Sequence, residues 1–221
     1  GGVFLSVEDE AVAPTDETNG FNNGNGAALS VVGDIYEVRW SKRMIDFLQA
    51  TDDPRLPLIA EIPGPGLGAN RDIETAGNID PTIQIGLPNG YDLRGGATDV
   101  SNEPDYPGPT GSDNNIAPIG NYSRPTAIYR NRSAPVFILT YAEVQLLLAE
   151  AAVRGYNVPG TASEYYNNAL VGAMQGMNKF IDAMEDLNNF NGEQISSDDA
   201  TTYAAANPLD ISSTEASLQM I

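Results

Sequence analysis

The sequence predicts a mainly α fold, built from paired helices joined to long irregular loops and a few short strands. Three observations carry this. Thr140-Tyr141-Ala142-Glu143 and Thr161-Ala162-Ser163-Glu164 are capping boxes, each opening a run with apolar residues at helical spacing. The loop between the two runs, Tyr156 to Gly160, is short enough to force antiparallel neighbours. Residues 63–135 hold ten of the fifteen prolines, so regular structure is scarce in that third of the chain.

In chain order, Val3 to Val7 reads as a short strand, and the Asn/Gly tract from Asn19 to Gly26 as a flexible connection. Ser30 to Trp40 is a second strand. Ser41 then caps a helix in which Met44, Ile45 and Leu48 share a face. Trp40, the only tryptophan, is expected to be structural and to staple against Ile45. Asp53 before Pro54 forms an N-cap and N1 pair. Further strands are placed at Leu58 to Ile62 and Thr82 to Leu87, followed by a turn at Pro88-Asn89-Gly90.

The first strong helix runs from Thr140 to Arg154, with Leu139 and Val144 at the staple positions and Gly155 free to take the left-handed C′ conformation. The second runs from Thr161 to about Met177. Their facing surfaces are expected to bury Leu147, Ala151, Tyr166, Leu170 and Met174. Ala162, Tyr166 and Ala169 match the spacing of a tetratricopeptide B helix over 140–178, although a plain helical hairpin satisfies the same pattern. Ser212-Ser213-Thr214-Glu215 is a further capping box near the end.

Composition narrows the chemistry. With 11 basic against 30 acidic residues, a formal charge of −19, the chain is repelled by phosphate backbones, so nucleic acid is not an expected partner. It has neither histidine nor cysteine, so no Ser-His-Asp or Cys-His constellation can be built and zinc loses its usual ligands. A carboxylate pair of the glycosidase kind is the remaining catalytic class, and nothing marks a particular pair. Asp99, Asn102, Glu103 and Asp105, and Asp16, Glu17 and Asn19, supply oxygen donors without the spacing of a calcium loop, and read as solvated loop. No cofactor is expected.

The segment Pro135 to Gly155 resembles a helix signature of the SusD/RagB family of bacterial outer-membrane nutrient-binding lipoproteins. Tyr36 to Leu48 followed by Asp52-Asp53-Pro54-Arg55-Leu56, and Ile85-Gly86-Leu87-Pro88-Asn89-Gly90-Tyr91, are similar to two further patterns of that family. The resemblance implies tetratricopeptide-type helical pairs and a binding protein rather than an enzyme. It also implies an oligosaccharide or peptide ligand, delivery to a TonB-dependent transporter barrel of the SusC type, and attachment to the outer membrane through an N-terminal lipid. Against the family's length, the chain is expected to be one piece of a SusD-like domain, lacking its N-terminal repeat helices, its lipid attachment site and its extreme C-terminus. A tetratricopeptide scaffold for a protein partner and an acidic secreted glycosidase are the alternatives.

Sugars stack their C–H faces on aromatic rings and hydrogen-bond amides and charged groups. That chemistry nominates Tyr91 with Asn89, Asp92 and Arg94, Tyr106 with Asn102 and Asp105, and Tyr122 with Asn121 and Arg124 as ligand-binding residues. Each tyrosine has a competing reading, in which it folds back to cap the core.

Overall fold

The computed structural model describes residues 4–31 and 35–221. In chain order its elements are β1 (Ala11–Ala13), α1 (Gly24–Leu29), α2 (Lys42–Ala50), α3 (Leu56–Ile59), β2 (Ala60–Glu61), α4 (Gly66–Arg71), β3 (Arg124–Pro125), α5 (Ala127–Arg130), β4 (Val136–Leu139), α6 (Tyr141–Val153), α7 (Ala162–Asp182), α8 (Ser197–Ala206) and α9 (Thr214–Met220). The chain divides into two compact units. One holds the chain up to Pro14, Pro135–Asp182 and Gln194–Ile221; the other holds Thr15–Ala134 and Ala183–Glu193. The fold is mainly helical, as expected.

In the first unit both capping boxes form. Thr140 Oγ1 accepts from the Glu143 N–H at 3.1 Å, while the Glu143 carboxylate accepts from the Thr140 N–H at 2.8 Å. Thr161 and Glu164 repeat the exchange at 3.2 and 2.8 Å. The end of α6 is equally specific. Gly155 adopts φ +79°, its N–H reaches the Ala152 carbonyl, and the Tyr156 N–H reaches that of Ala151, which together make a Schellman motif.

α6 packs against α7, and α7 against α8. Tyr166 and Met174 are buried as expected, and Leu170 and Ala151 are half-buried. Leu147 is not: it is 61% exposed. The contact stripe on α6 runs through Tyr141, Gln145 and Ala149, four residues apart; Tyr141 lies against Gly172 of α7, and Gln145 receives a 3.5 Å hydrogen bond from Asn168. Leu147 sits two positions from Gln145, about 200° round the helix, and so points away from the stripe. Leu147→Ala is therefore expected to cost less than about 0.5 kcal/mol in urea denaturation, as at other surface positions; a loss of about 2 kcal/mol or more would return it to the core.

A close approach explains one glycine of α7. A Cβ on Gly172 would lie 2.5 Å from Tyr141 Cδ1, so the helix gives up intrinsic propensity there to let α6 in. α7 itself runs to Asp182, beyond the expected end at Met177, and buries Ile181. α8, which the sequence reading did not anticipate, is capped by Ser196 Oγ accepting from the Asp199 N–H at 3.0 Å. The cap of α9 is Ser213, whose hydroxyl accepts from the Ala216 N–H; Ser212 instead donates its N–H to Asp210, so the proposed box does not form and the cap lies one residue later.

β1 pairs antiparallel with β4, joining Val12 to Phe137 and Ala13 to Val136. The strand proposed at Val3 to Val7 is absent over its described residues. The Asp9 carboxylate there accepts from the Leu5 and Ser6 N–H groups and closes a 3-10 turn at Val7–Asp9. Local side-chain acceptors have displaced a ladder. Next to this turn the Glu10 carboxylate, whose side chain is 1% exposed, accepts from the Tyr141 N–H at 3.0 Å and from Lys179 Nζ at 2.9 Å.

In the second unit, the Asn/Gly tract is not a loose connection. Asn23 caps α1 by accepting from the Gly26 N–H, and its amide donates to the Ala134 carbonyl. Over its described residues Ser30 to Trp40 is no strand: Ser30 ends α1, and Tyr36 and Glu37 form a turn. Val32, Gly33 and Asp34 lie outside the described residues. Arg39 folds inward and donates to the carbonyls of Ile35, Val38 and Ile119, so these groups are satisfied without a ladder.

Ser41 caps α2, where Ile45 and Leu48 are buried while Met44, one position off that face, is 39% exposed. Trp40 donates its indole N–H to the Ile59 carbonyl at 2.8 Å and meets Tyr129 edge-on. Asp53 does not cap a helix at Pro54. It closes a turn onto the Arg55 N–H and pairs with the Arg55 guanidinium at 2.6 Å, and the helix starts later, at Leu56. Only Ala60–Glu61 of the Leu58 to Ile62 strand is regular, paired with β3. Thr82 to Leu87 is an extended strip with a 3-10 start rather than a strand. It buries Gln84, leaves Ile83 and Ile85 exposed, and bonds to Trp40, Lys42 and Ser123 through the backbone of Ile85 and Leu87.

The centre of this unit is ionic. Glu61 Oε1 accepts from Arg124 Nε at 2.7 Å and Arg130 Nη1 at 2.8 Å, and Oε2 accepts from the Gly77 N–H. All three side chains are at most 3% exposed. Both guanidiniums also donate to main-chain carbonyls: Arg124 to those of Asn70, Asp72 and Thr75, Arg130 to those of Ile73 and Pro125. The last turn of α4 and the irregular stretch 72–77 after it are thus held in part by side chains.

Candidate functional site

The predicted platform splits into an exposed part and a buried part. Val100, Ile119 and Tyr122 form a buried apolar cluster, and Tyr36, Leu87, Tyr91 and Tyr106 pack on it partly exposed. Tyr122 is only 1% exposed, so it cannot stack on a ligand as the sequence reading proposed; burial also pushes its hydroxyl up to about 12, with the Glu103 carboxylate adding to the effect. Tyr106 stacks on Tyr122 with ring centroids 6.5 Å apart and donates its hydroxyl to the Pro118 carbonyl at 2.6 Å. Arg124 is taken up by Glu61 and is fully buried, which removes it from any surface. Asn121 donates to the Pro107 and Gly108 carbonyls. These residues build the support.

Tyr91, Asp92 and Arg94 do come together. They line a cavity of about 410 Å³ together with the apolar residues Leu87, Leu93, Val100 and Ile119 and with Glu37. The loop is shaped by short polar contacts: Asp92 accepts from the Arg94 N–H at 3.0 Å, and Asp99 accepts from the Gly95 and Ser101 N–H groups at 3.0 Å. The Ser101 hydroxyl bonded to Asp99 holds that carboxyl below its usual range. Asn102 donates to the Gly96 carbonyl and is spent within the loop. Asn89 and Asp105 are exposed and outside the cavity lining.

Glu37, Leu87, Leu93, Val100 and Ile119 were missed by sequence reasoning: the four apolar residues carry no local sign that they face a cavity, and Glu37 is far from Tyr91 along the chain. Chemically the cavity offers one aromatic edge, an apolar wall, two carboxylates and a guanidinium, which suits a neutral molecule with both C–H and O–H surfaces. Among the described residues no cluster of His, Cys, Asp or Glu is arranged to hold a metal ion, and no helix is long and apolar enough to cross a membrane.

Comparison with known proteins bears on the fold. No curated protein matches the sequence. Three solved structures share the architecture: a chitin-binding protein (22% identity, TM-score 0.66, 99% of this chain and 40% of that one), a SusD homologue from Bacteroides fragilis (22%, 0.62, 94% and 38%), and a SusD-like protein from Bacteroidetes AC2a (17%, 0.61, 98% and 46%). The chain therefore spans less than half the length of these structures. The model of a family described as starch-binding and associating with the outer membrane matches residues 1–206. With nearly its whole length matched by that model, the chain belongs to the SusD-like family.

Proposed function

We propose that this chain is part of a bacterial cell-surface protein that binds oligomeric nutrient, glycan in the first place, without cleaving it. The protein hands its ligand to a TonB-dependent transporter barrel of the SusC type and is held at the outer membrane by an N-terminal lipid. The observation that carries the reading is the cavity beside Tyr91, where an aromatic edge, an apolar wall and the Glu37, Asp92 and Arg94 side chains converge. Membership of a family described as starch-binding supports the ligand class. The chitin-binding neighbour, at 22% identity, adds the shared scaffold.

Titration of malto- and chito-oligosaccharides into the full-length protein tests this directly. Tyr91→Ala is expected to weaken binding about tenfold, equivalent to about 1.4 kcal/mol, with the unfolding midpoint little changed. Arg94→Ala, at an exposed rim position, is expected to act in the same direction. Unchanged affinity in both variants would move the site away from this cavity. Release of reducing ends would show an enzyme instead, and binding of peptide in place of any oligosaccharide would show a scaffold.

A further inference from the structure

Five asparagines of the chain precede a glycine: Asn19, Asn23, Asn25, Asn89 and Asn191. Such a pair can react with itself, because a glycine without a Cβ lets its amide nitrogen approach the asparagine Cγ. The fold restrains four of the five. Asn23 is buried, caps α1 and donates its amide to the Ala134 carbonyl. Asn25 lies inside α1, where the Gly26 N–H donates to Asn23 Oδ1. Asn19 donates to the Asp16 carboxylate, and the Gly20 N–H donates to the Glu17 carbonyl. Asn191 donates to the Gly77 carbonyl at 2.9 Å. Asn89 differs from all of these. It and Gly90 are both exposed in a turn, and among the described residues no hydrogen bond engages its amide or the Gly90 N–H. Gly90 stands at φ +94°, with no atom within 4 Å of where a Cβ would lie, so no neighbour packs against the turn there.

We infer that Asn89 is a site of spontaneous deamidation that ages the ligand cavity. The Gly90 amide nitrogen gives its proton to solvent base and bonds to the Asn89 Cγ, and ammonia leaves, which closes a succinimide ring. Water then opens the ring. Breaking the bond between nitrogen and Cγ yields aspartate; breaking the bond between nitrogen and the main-chain carbonyl carbon yields isoaspartate, in which the chain continues through the former side chain. The net change is amide and water to carboxylic acid and ammonia, and water is the only reactant from outside. The place matters because Asn89 lies between Leu87 and Tyr91, both of which line the cavity. Isoaspartate lengthens the backbone between them by a carbon and brings a negative charge, so Tyr91 is displaced relative to Leu87 and the charge joins those of Glu37 and Asp92. This consequence rests on the reading of the cavity as the ligand site; the modification does not.

The test ages the full-length protein in neutral and in mildly alkaline buffer and maps its peptides by mass spectrometry, with isoaspartate scored by isoaspartyl methyltransferase labelling. Asn89 is expected to gain the mass of the acid about tenfold faster than the other four asparagines, which must first break local hydrogen bonds. The rate should rise with pH, since the attacking nitrogen has to lose its proton. In denaturant the five pairs should react at similar rates. Asn89→Gln, whose longer side chain closes a larger ring more slowly, should remove the fast component. Oligosaccharide affinity of the aged wild type should fall as the modified fraction grows, while aged Asn89→Gln keeps the affinity of fresh protein. An intact Asn89 when other pairs have reacted, or similar rates at all five in the folded protein, would overturn the site. Equal affinity of fresh and fully modified protein would overturn its effect on the cavity. Fresh protein that binds no oligosaccharide counts against the cavity reading alone, because the peptide map decides the modification without a ligand.

Discussion

Replacing Glu61 with alanine is expected to destabilise the protein by about 3–5 kcal/mol, because it strands two guanidiniums in the interior. Arg124 and Arg130 are at most 3% exposed and share the Glu61 Oε1 atom, so neither has another carboxylate within the ion-pair network. Set against a typical total stability of about 5–15 kcal/mol, the loss is a large fraction of what holds the fold. Glu61→Gln keeps an acceptor for the Gly77 N–H and loses the charge, so its cost should fall between wild type and alanine. Urea denaturation of the three proteins gives the order. A loss below about 1 kcal/mol for the alanine variant would mean that the arginines reach water when Glu61 is removed.

An apolar replacement of all three charged residues, sometimes neutral for buried ion pairs, is not expected to rescue this protein. The two arginines also donate to the carbonyls of Asn70, Asp72, Ile73 and Thr75, and an apolar side chain would leave those acceptors bare.

The second large effect is at Tyr122. Truncation to alanine removes a fully buried ring from the Val100 and Ile119 cluster and takes away the surface on which Tyr106 stacks; the expected cost is about 3–5 kcal/mol. Tyr91→Ala, half-buried at the cavity edge, should by contrast act mainly on ligand affinity. Thermal unfolding and oligosaccharide titration of the two variants separate the roles. A Tyr122→Ala protein with the wild-type midpoint and impaired binding would return Tyr122 to the ligand site.

The contrast between these tyrosines marks where sequence reading stopped. Tyr91, Tyr106 and Tyr122 each sit among Asn, Asp or Arg in a proline-rich stretch, and local composition left all three with the same two readings, ligand platform or core cap. Burial is decided by residues distant in the chain, such as Ile119 packing with Val100, and no window around a tyrosine contains that information. The starts of α6 and α7 and the end of α6 were legible for the opposite reason. A Thr–Glu box and a Gly at C′ act within a few residues, and both boxes formed as read. Leu147 failed between these extremes: Leu146, Leu147 and Leu148 are consecutive, so α6 is apolar on several sides and its period does not name the face that meets α7. The strands β1 and β4, three and four residues long, are too short for alternation to show. The ion cluster was not read at all, Arg124 being assigned to the ligand platform, since partners 63 and 69 residues apart leave no mark on either segment.

The fan of arginine hydrogen bonds over residues 69–77 also bears on how a protease would meet this molecule. An irregular surface stretch is ordinarily the first place to be nicked, because cleavage needs only a local opening. Here, peeling that backbone away would expose the buried guanidiniums of Arg124 and Arg130 together with Glu61, so the segment cannot fray a residue at a time. Its opening is tied to the loss of β2, β3 and α5. Cutting there should track the unfolding of the whole unit, and a stretch that looks like linker should survive digestion as long as the helices do.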